Sequence, residues 1–336
     1  MTTEAGDSTE QGRYLAFGMT IIGPRRYLDG HCHSVVEGVA AVASELLRIE
    51  VTHEPTEHAS RWETVLTHDA ETAANAGHRF LRVLKNAAGA RRYEIIDGLS
   101  VEADPGARHL RVCAPATMHP DSLGSFICGT AMLCYFKAQQ RLCLHAAVVV
   151  RGQQSVMICG ASGAGKSSFA AALQEQGWSI VVEDLAVVEP AVDGYGVRPG
   201  YGRLRLWSDS VAGLSLTQRT SRIVVGADKY YLPLDTRVEC SPPLTTLVFL
   251  GQRLRQAQTN LQMQPLATGA VALTQLYRNS LAAYLNTPPE VSALLAQCRG
   301  VVTQSSVYEL RLADDWSRLP SACEQFAQQL NAADPS

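Results

Sequence analysis

A strand-like run, Ser155-Val-Met-Ile-Cys159, leads directly into Gly160-Ala-Ser-Gly-Ala-Gly-Lys-Ser-Ser168, and an apolar helical face at Phe169, Ala172 and Leu173 follows. No other stretch constrains the fold as tightly. Gly160-x-x-x-x-Gly165-Lys166-Ser167 is a phosphate-binding loop pattern set between a strand and a helix. Glycines let successive backbone N–H groups converge on a phosphate, and the helix adds its positive N-terminal end. Gly160, Ala161, Ser162, Gly163, Ala164, Gly165, Lys166, Ser167 and Ser168 are therefore expected to hold a nucleotide. Lys166 would reach the β- and γ-phosphates and the Ser167 hydroxyl would ligate Mg²⁺, so ATP and Mg²⁺ are the expected cofactors. The competing reading is a Gly-rich turn that matches by accident, and the strand–loop–helix context argues against it.

Around the loop the pattern is that of an α/β protein. Ala146–Val150 and Ser155–Cys159 read as a hairpin, and Ser179-Ile-Val-Val-Glu-Asp184 as a buried strand ending in two carboxylates. Further strands are expected at Arg203–Trp207, Leu244–Leu250 and Val307–Leu312, with helices near 270–285, 289–298 and 318–331. Upstream the signal is weaker. Residues 1–12 read as a polar tail, and 13–120 as a smaller mixed α+β domain. Residues 121–332 read as the domain carrying the loop. Within the N-terminal part, Ser34–Ile49 carries apolar residues at helix-like spacing. Leu123–Phe136 reads as a buried helix capped by Asp121 and Ser122.

A chain of 336 residues with 46% residues of the AVILMFWYC class can bury a core without metals or disulfides as staples. Its net charge of −3 gives no basic field to concentrate nucleic acid or an anionic membrane. The polar, acidic N-terminus carries no leader pattern, and the longest apolar stretch is too short to span a bilayer. Nine cysteines, an odd number without a Cys-x-x-Cys pair, suggest a reducing cytoplasm. His31-Cys32-His33 lacks a second ligand pair at zinc spacing.

Glu183-Asp184 should face the loop, because ligands of α/β sheets gather at the carboxyl ends of strands. Either acid could hold Mg²⁺, and Asp184 could take the proton of an attacking hydroxyl. Alternation along the strand could turn Glu183 away. His145, at the head of the hairpin, reads from spacing alone as a satisfied core histidine. Only four lysines occur, at positions 85, 137, 166 and 229. Arg198, Arg203, Arg205 and Lys229 could steady phosphates or an acidic substrate segment, or be solvated charges at strand ends.

The stretch Leu144-His145-Ala-Ala-Val…Gly160–Ser168…Gly177-Trp-Ser-Ile-Val-Val-Glu-Asp184 resembles the catalytic core of HPr kinase/phosphorylase. It is more similar still to HPr-kinase-like proteins of peptide-modification clusters, including lasso-peptide kinases. The close match spans 144–190, and a looser one runs through Arg198–Asp209 to Lys229. The resemblance implies a P-loop kinase core of HPr-kinase type in the C-terminal domain. It makes Asp184 the base for the acceptor hydroxyl, Lys166 the catalytic lysine and His145 an active-site residue. Glu183 stands where the bifunctional family has Asp, and that family's Glu-containing motif has no recognisable copy. Asp209 lies near its place as a candidate metal ligand. These departures weigh against phosphorolysis and against HPr itself as substrate.

The function expected from the sequence is an ATP- and Mg²⁺-dependent kinase acting on a serine hydroxyl. Its partner would be a peptide or small protein, with a ribosomal precursor peptide of the lasso kind as the specific case. No nucleic acid or membrane partner is expected, and homo-oligomerisation is left open. A kinase of free serine is the alternative acceptor class. A regulatory P-loop NTPase without transfer is the alternative mechanism; neither an ABC-type signature nor Asn-Lys-x-Asp occurs.

Overall fold

The computed structural model describes residues 10–32, 45–54, 62–68, 80–222, 228–234, 242–255, 259–266 and 269–333. They divide into two compact units, one running to Arg141 with Ala282–Val291 added, the other Leu142–Leu281 with Ser292 onward. The division falls after the helix that begins at Pro120, where the sequence placed it before.

In the first unit, β1 (Gln11–Ala16), β2 (Met19–Pro24) and a short helix α1 (Arg25–Leu28) are followed by β3 (Glu45–Thr52), β4 (Trp62–Thr67), β5 (Phe80–Asn86), β6 (Arg91–Ile95), β7 (Ser100–Asp104) and β8 (His109–Cys113). These strands form one sheet in the order β1-β2-β3-β8-β7-β6-β5-β4. Only β2–β3 and β3–β8 pair in parallel. The helix expected over 34–49 is corrected at its C-terminal end, where Glu45–Thr52 is a strand. Leu47 and Ile49 are buried, whereas Leu46, Arg48 and Glu50 between and beside them are exposed. That period of two is a strand's, whereas the helix-like spacing came from Val35, Val36, Val39 and Val42 leading into Leu46 and Leu47. Residues 33–44 lie outside the described residues.

The buried helix over 123–136 is present as α2 (Pro120–Phe126) and α3 (Met132–Ala138), joined by a π-type turn, Ile127–Ala131. Its cap is not Asp121 or Ser122. Pro120 occupies the first helical position, where its missing N–H costs nothing, so the cap falls on His119, whose Nδ1 accepts the Asp121 N–H at 3.2 Å. Segment 282–291 is tied to this unit by a buried ion pair between Arg91 and Glu290. The eight described cysteines are free thiols. No helix among the described residues is long and apolar enough to cross a membrane.

The second unit is a mixed α/β layer structure. Its elements are β9 (Leu142–Leu144), β10 (Ala146–Arg151), β11 (Gln154–Cys159), α4 (Lys166–Gln174), β12 (Ser179–Val182), β13 (Ala186–Ala191), β14 (Gly194–Val197), β15 (Arg203–Trp207), α5 (Ser208–Gly213), β16 (Ser221–Arg222), β17 (Lys229–Pro233), β18 (Thr246–Leu250), β19 (Leu261–Pro265), α6 (Gly269–Arg278), β20 (Ser306–Leu312) and α8 (Leu319–Ala333). Helix α7 (Pro288–Thr303) enters it from residue 292. The main sheet runs β12-β10-β11-β18-β20-β19, and two three-stranded sheets, β14-β13-β9 and β15-β17-β16, flank the chain's course. The expected hairpin is β10–β11, paired from Ala146↔Cys159 to Arg151↔Gln154. The strands β11, β18 and β20 are parallel.

Both faces of such a strand must be covered, and β11 accordingly reads as a continuous apolar run. Helices α4 and α8 contribute to that cover. Phe169 and Phe326 meet edge-to-face with centroids 5.3 Å apart, and Trp178, 1% exposed, packs beside Phe326. Each such ring stabilises by about 1.5–3 kcal/mol on burial. That core fixes the strand end and the helix start between which the Gly-rich loop is strung.

Candidate functional site

Three strand ends meet at one cavity of about 770 Å³: His145 before β10, the Gly-rich loop after β11, and Glu183-Asp184 after β12. The loop needs glycine at its turning points. Gly160 has φ +153° and Gly165, the residue before α4, has φ +98°. A Cβ on Gly160 would press against Leu250 and Ala164, and one on Gly165 would collide with the Arg253 guanidinium. Lys166, buried, curls back so that its Nζ donates to the carbonyls of Gly160 at 2.9 Å and Ala161 at 3.0 Å. Ser167 Oγ donates to Glu183 Oε1 at 2.7 Å.

The acids sit where they do because β12 stops at Val182. The Leu185 N–H donates to the Glu183 carbonyl at 2.9 Å, across an Asp184 with φ +73°. This three-residue turn is of the rare positive-φ kind, a strain found mostly where function holds it. It also breaks strand alternation, so Glu183 and Asp184 both line the cavity. Asp184 is held on both oxygens. His145 Nε2 lies 3.2 Å from Oδ1, and Arg205 of β15 pairs with Oδ2.

Burial sets the protonation of the bases. It pushes His145 down to about 4, and the Lys166, Arg205 and Lys229 charges add to that, with Glu183 opposing. The imidazole is therefore neutral at pH 7, with its Nε2 turned toward Asp184. Burial likewise holds Lys166 below the usual lysine range, against the pull of Cys159 and Glu183.

Of the sequence-derived candidates, His145, Lys166, Ser167, Glu183, Asp184, Arg205, Asp209 and Lys229 all line the cavity. Ser162, Gly163, Gly165 and Ser168 do so as well, while Gly160, Ala161 and Ala164 contribute carbonyls turned to Lys166 and Arg253. Ser168 Oγ donates to Ser210 Oγ at 3.0 Å, fastening α4 to α5. Asp209 Oδ1 accepts the Ser210 N–H at 2.6 Å at the start of α5. Two candidates are not brought in. Arg198 Nε donates to Glu189 Oε2 at 2.8 Å across the β13–β14 hairpin. Arg203 stacks on Tyr231, its guanidinium carbon 3.8 Å from the ring centroid.

The sequence reading missed Arg253, whose Nη2 donates to the Ala164 carbonyl at 3.1 Å, and the aromatic wall Trp316. It also missed Asn279. The Asn279 Oδ1 accepts the Gly160 N–H at 3.0 Å, and its carbonyl accepts the His145 N–H at 2.8 Å. One residue thus sets the heights of the loop and the histidine together. Asn279→Ala strands the Gly160 amide and is expected to cost about 1–3 kcal/mol. Urea denaturation measures that loss, and titration of a fluorescent ATP analogue should show weaker binding alongside it.

Beside the loop, the Ser167 hydroxyl and the Glu183 and Asp184 carboxylates are hard oxygen donors of the kind suited to Mg²⁺. Among the described residues no group of three or more His, Cys, Asp and Glu is arranged to hold a metal unaided.

No protein-family model matches the chain. No curated protein matches it. Among solved structures it is similar to the Hpr(Ser) kinase/phosphatase from Coxiella burnetii, at 12% identity and a TM-score of 0.28, over 57% of this chain and 97% of that one. A likeness of that degree carries no conclusion about fold or activity, and the functional reading rests on the site's own residues.

Proposed function

We propose that the chain is an ATP- and Mg²⁺-dependent kinase that phosphorylates a serine hydroxyl of a peptide or small protein. The observation that carries this reading is the convergence of Lys166, Ser167, Glu183, Asp184 and His145 on one cavity. Phosphoryl transfer asks a protein chiefly for positioning and charge neutralisation. Backbone amides of the Gly-rich loop bind the phosphates, and Lys166 exchanges its two carbonyl partners for phosphate oxygens. Ser167 and Glu183 would hold Mg²⁺, which when bound neutralises charge on the phosphates. Asp184 accepts the acceptor hydroxyl's proton on a carboxylate oxygen, and neutral His145 keeps that carboxylate oriented through its Nε2–H.

The test is mass spectrometry of acceptors incubated with the protein, ATP and Mg²⁺: a Ser-containing ribosomal precursor peptide, HPr and free serine. One added phosphate on the peptide, lost in Lys166→Ala, supports the proposal. Phosphate on free serine alone replaces it with a metabolite kinase. ATP consumed with no phosphorylated acceptor, even from a cell extract, replaces it with an NTPase.

A further inference from the structure

The proton acceptor of the proposed reaction is not free. Asp184 spends Oδ2 on Arg205 and Oδ1 on His145. The Arg205 guanidinium covers the Oδ2 side of the carboxylate, the side from which a hydroxyl would otherwise approach that oxygen. Opening Oδ2 to a hydroxyl means moving Arg205 aside, and the guanidinium then needs another partner.

The surroundings show what would draw it off. Arg205 and Lys229 stand on neighbouring strands, with Arg205 opposite Tyr231 and Trp207 opposite Lys229, so the two cations are diagonal neighbours on one face. Lys229 has an aromatic ring for a neighbour, its Nζ 4.4 Å from the Trp207 centroid. Burial and the Arg205 charge hold Lys229 below the usual lysine range. Three acids of the cavity make contacts of their own. Asp228 accepts from the Ser208 hydroxyl, Asp209 from the Ser210 amide and Asp315 from the Ser317 amide. Trp207, 50% exposed, forms an apolar shelf at the cavity's edge.

We infer that Arg205 is a latch on Asp184 and that the acceptor opens it: the substrate hydroxyl is flanked, within one or two residues, by a carboxylate that takes Arg205 and Lys229. This inference rests on the kinase reading, and names its acceptor as an acidic peptide segment lying over Trp207. Arg205 exchanges one carboxylate for another, so the guanidinium stays paired, and Asp184 Oδ2 becomes available to the hydroxyl. A serine in neutral surroundings would leave the latch closed. Arg205 acts through Asp184 and is a positioning residue.

The experiment compares Ser peptides whose neighbouring residue is Asp or the isosteric Asn, in the full-length protein. Wild type is expected to favour the Asp peptide in kcat/KM by about tenfold or more, the worth of a charge-assisted contact. Arg205→Gln should remove that preference, and Arg205→Lys, which keeps the charge but not the fork, should restore part of it. Calorimetric binding of the same two peptides, with thermal melting to show that each variant is folded, separates this inference from the kinase reading. Selective binding of the Asp peptide that Arg205→Gln abolishes, with no phosphate transferred, sustains the latch and removes the kinase. Transfer without preference between Asp and Asn peptides, or a preference intact in Arg205→Gln, overturns the latch and leaves the kinase standing. Neither transfer nor selective binding overturns the latch.

Discussion

Asp184→Asn is expected to lower phosphoryl transfer by about 10²–10⁴-fold, the usual worth of a positioned proton acceptor. Binding of an ATP analogue should change little. The substitution suits the question because asparagine tolerates positive φ nearly as well as aspartate, so the turn at +73° should survive. Its amide oxygen can still accept the His145 Nε2–H. What it cannot do is take a proton or pair with Arg205, whose guanidinium would then face an NH₂ group. Loss of transfer with retained nucleotide binding and an unchanged melting temperature therefore isolates the proton acceptor. Transfer near the wild-type rate would remove Asp184 from that role and leave Glu183 as the cavity-lining acid next to it.

The parts of this site that could be read from the sequence are those whose physics is local. The loop's glycines, its lysine and its serine obey a fixed spacing, since backbone amides must curl around a phosphate within a few residues. The β10–β11 hairpin was legible for the same reason. Glu183 was legible only in part: the strand-end rule placed it at the loop, but its direction depends on where β12 stops, and β12 stops where its pairing with β10 runs out at Val182. Alternation extended one residue too far would have turned Glu183 away. Arg253 and Asn279 reach the loop from 89 and 119 residues distant, and no local pattern announces a contact of that range. Arg198 and Arg203 show the converse error. Their sequence neighbourhood was right, but Glu189 and Tyr231 occupy them before any substrate could. In the first unit a helix-like spacing that begins at Val35 and Val39 was carried on through Leu46 and Leu47 into what is a strand.

Gly165→Ala should damage both stability and nucleotide binding, and a second substitution shows through which contact. At φ +98° an L-residue is strained, at about 1–2 kcal/mol for a non-glycine in the left-handed region. The new methyl would also occupy the space of the Arg253 guanidinium. Arginine's tip is flexible and can move, but moving breaks its bond to the Ala164 carbonyl, a charge-assisted contact worth about 1.5–3 kcal/mol. Arg253 is itself partly desolvated, with its guanidinium held below the usual arginine range by burial, so displacing it into water recovers some of that cost. The two terms are then of similar size, and the backbone one persists in every background. In a double-mutant cycle, Gly165→Ala should cost less in an Arg253→Ala protein than in wild type by the collision term alone. Urea midpoints measure the stability side, and titration with a fluorescent ATP analogue measures whether the loop still closes on phosphate. Equal costs in the two backgrounds would mean that Arg253 yields freely and that strain at residue 165 accounts for the whole effect. A cost that vanishes with Arg253 would mean that the loop accepts alanine's backbone there and that the guanidinium sets the shape of its mouth.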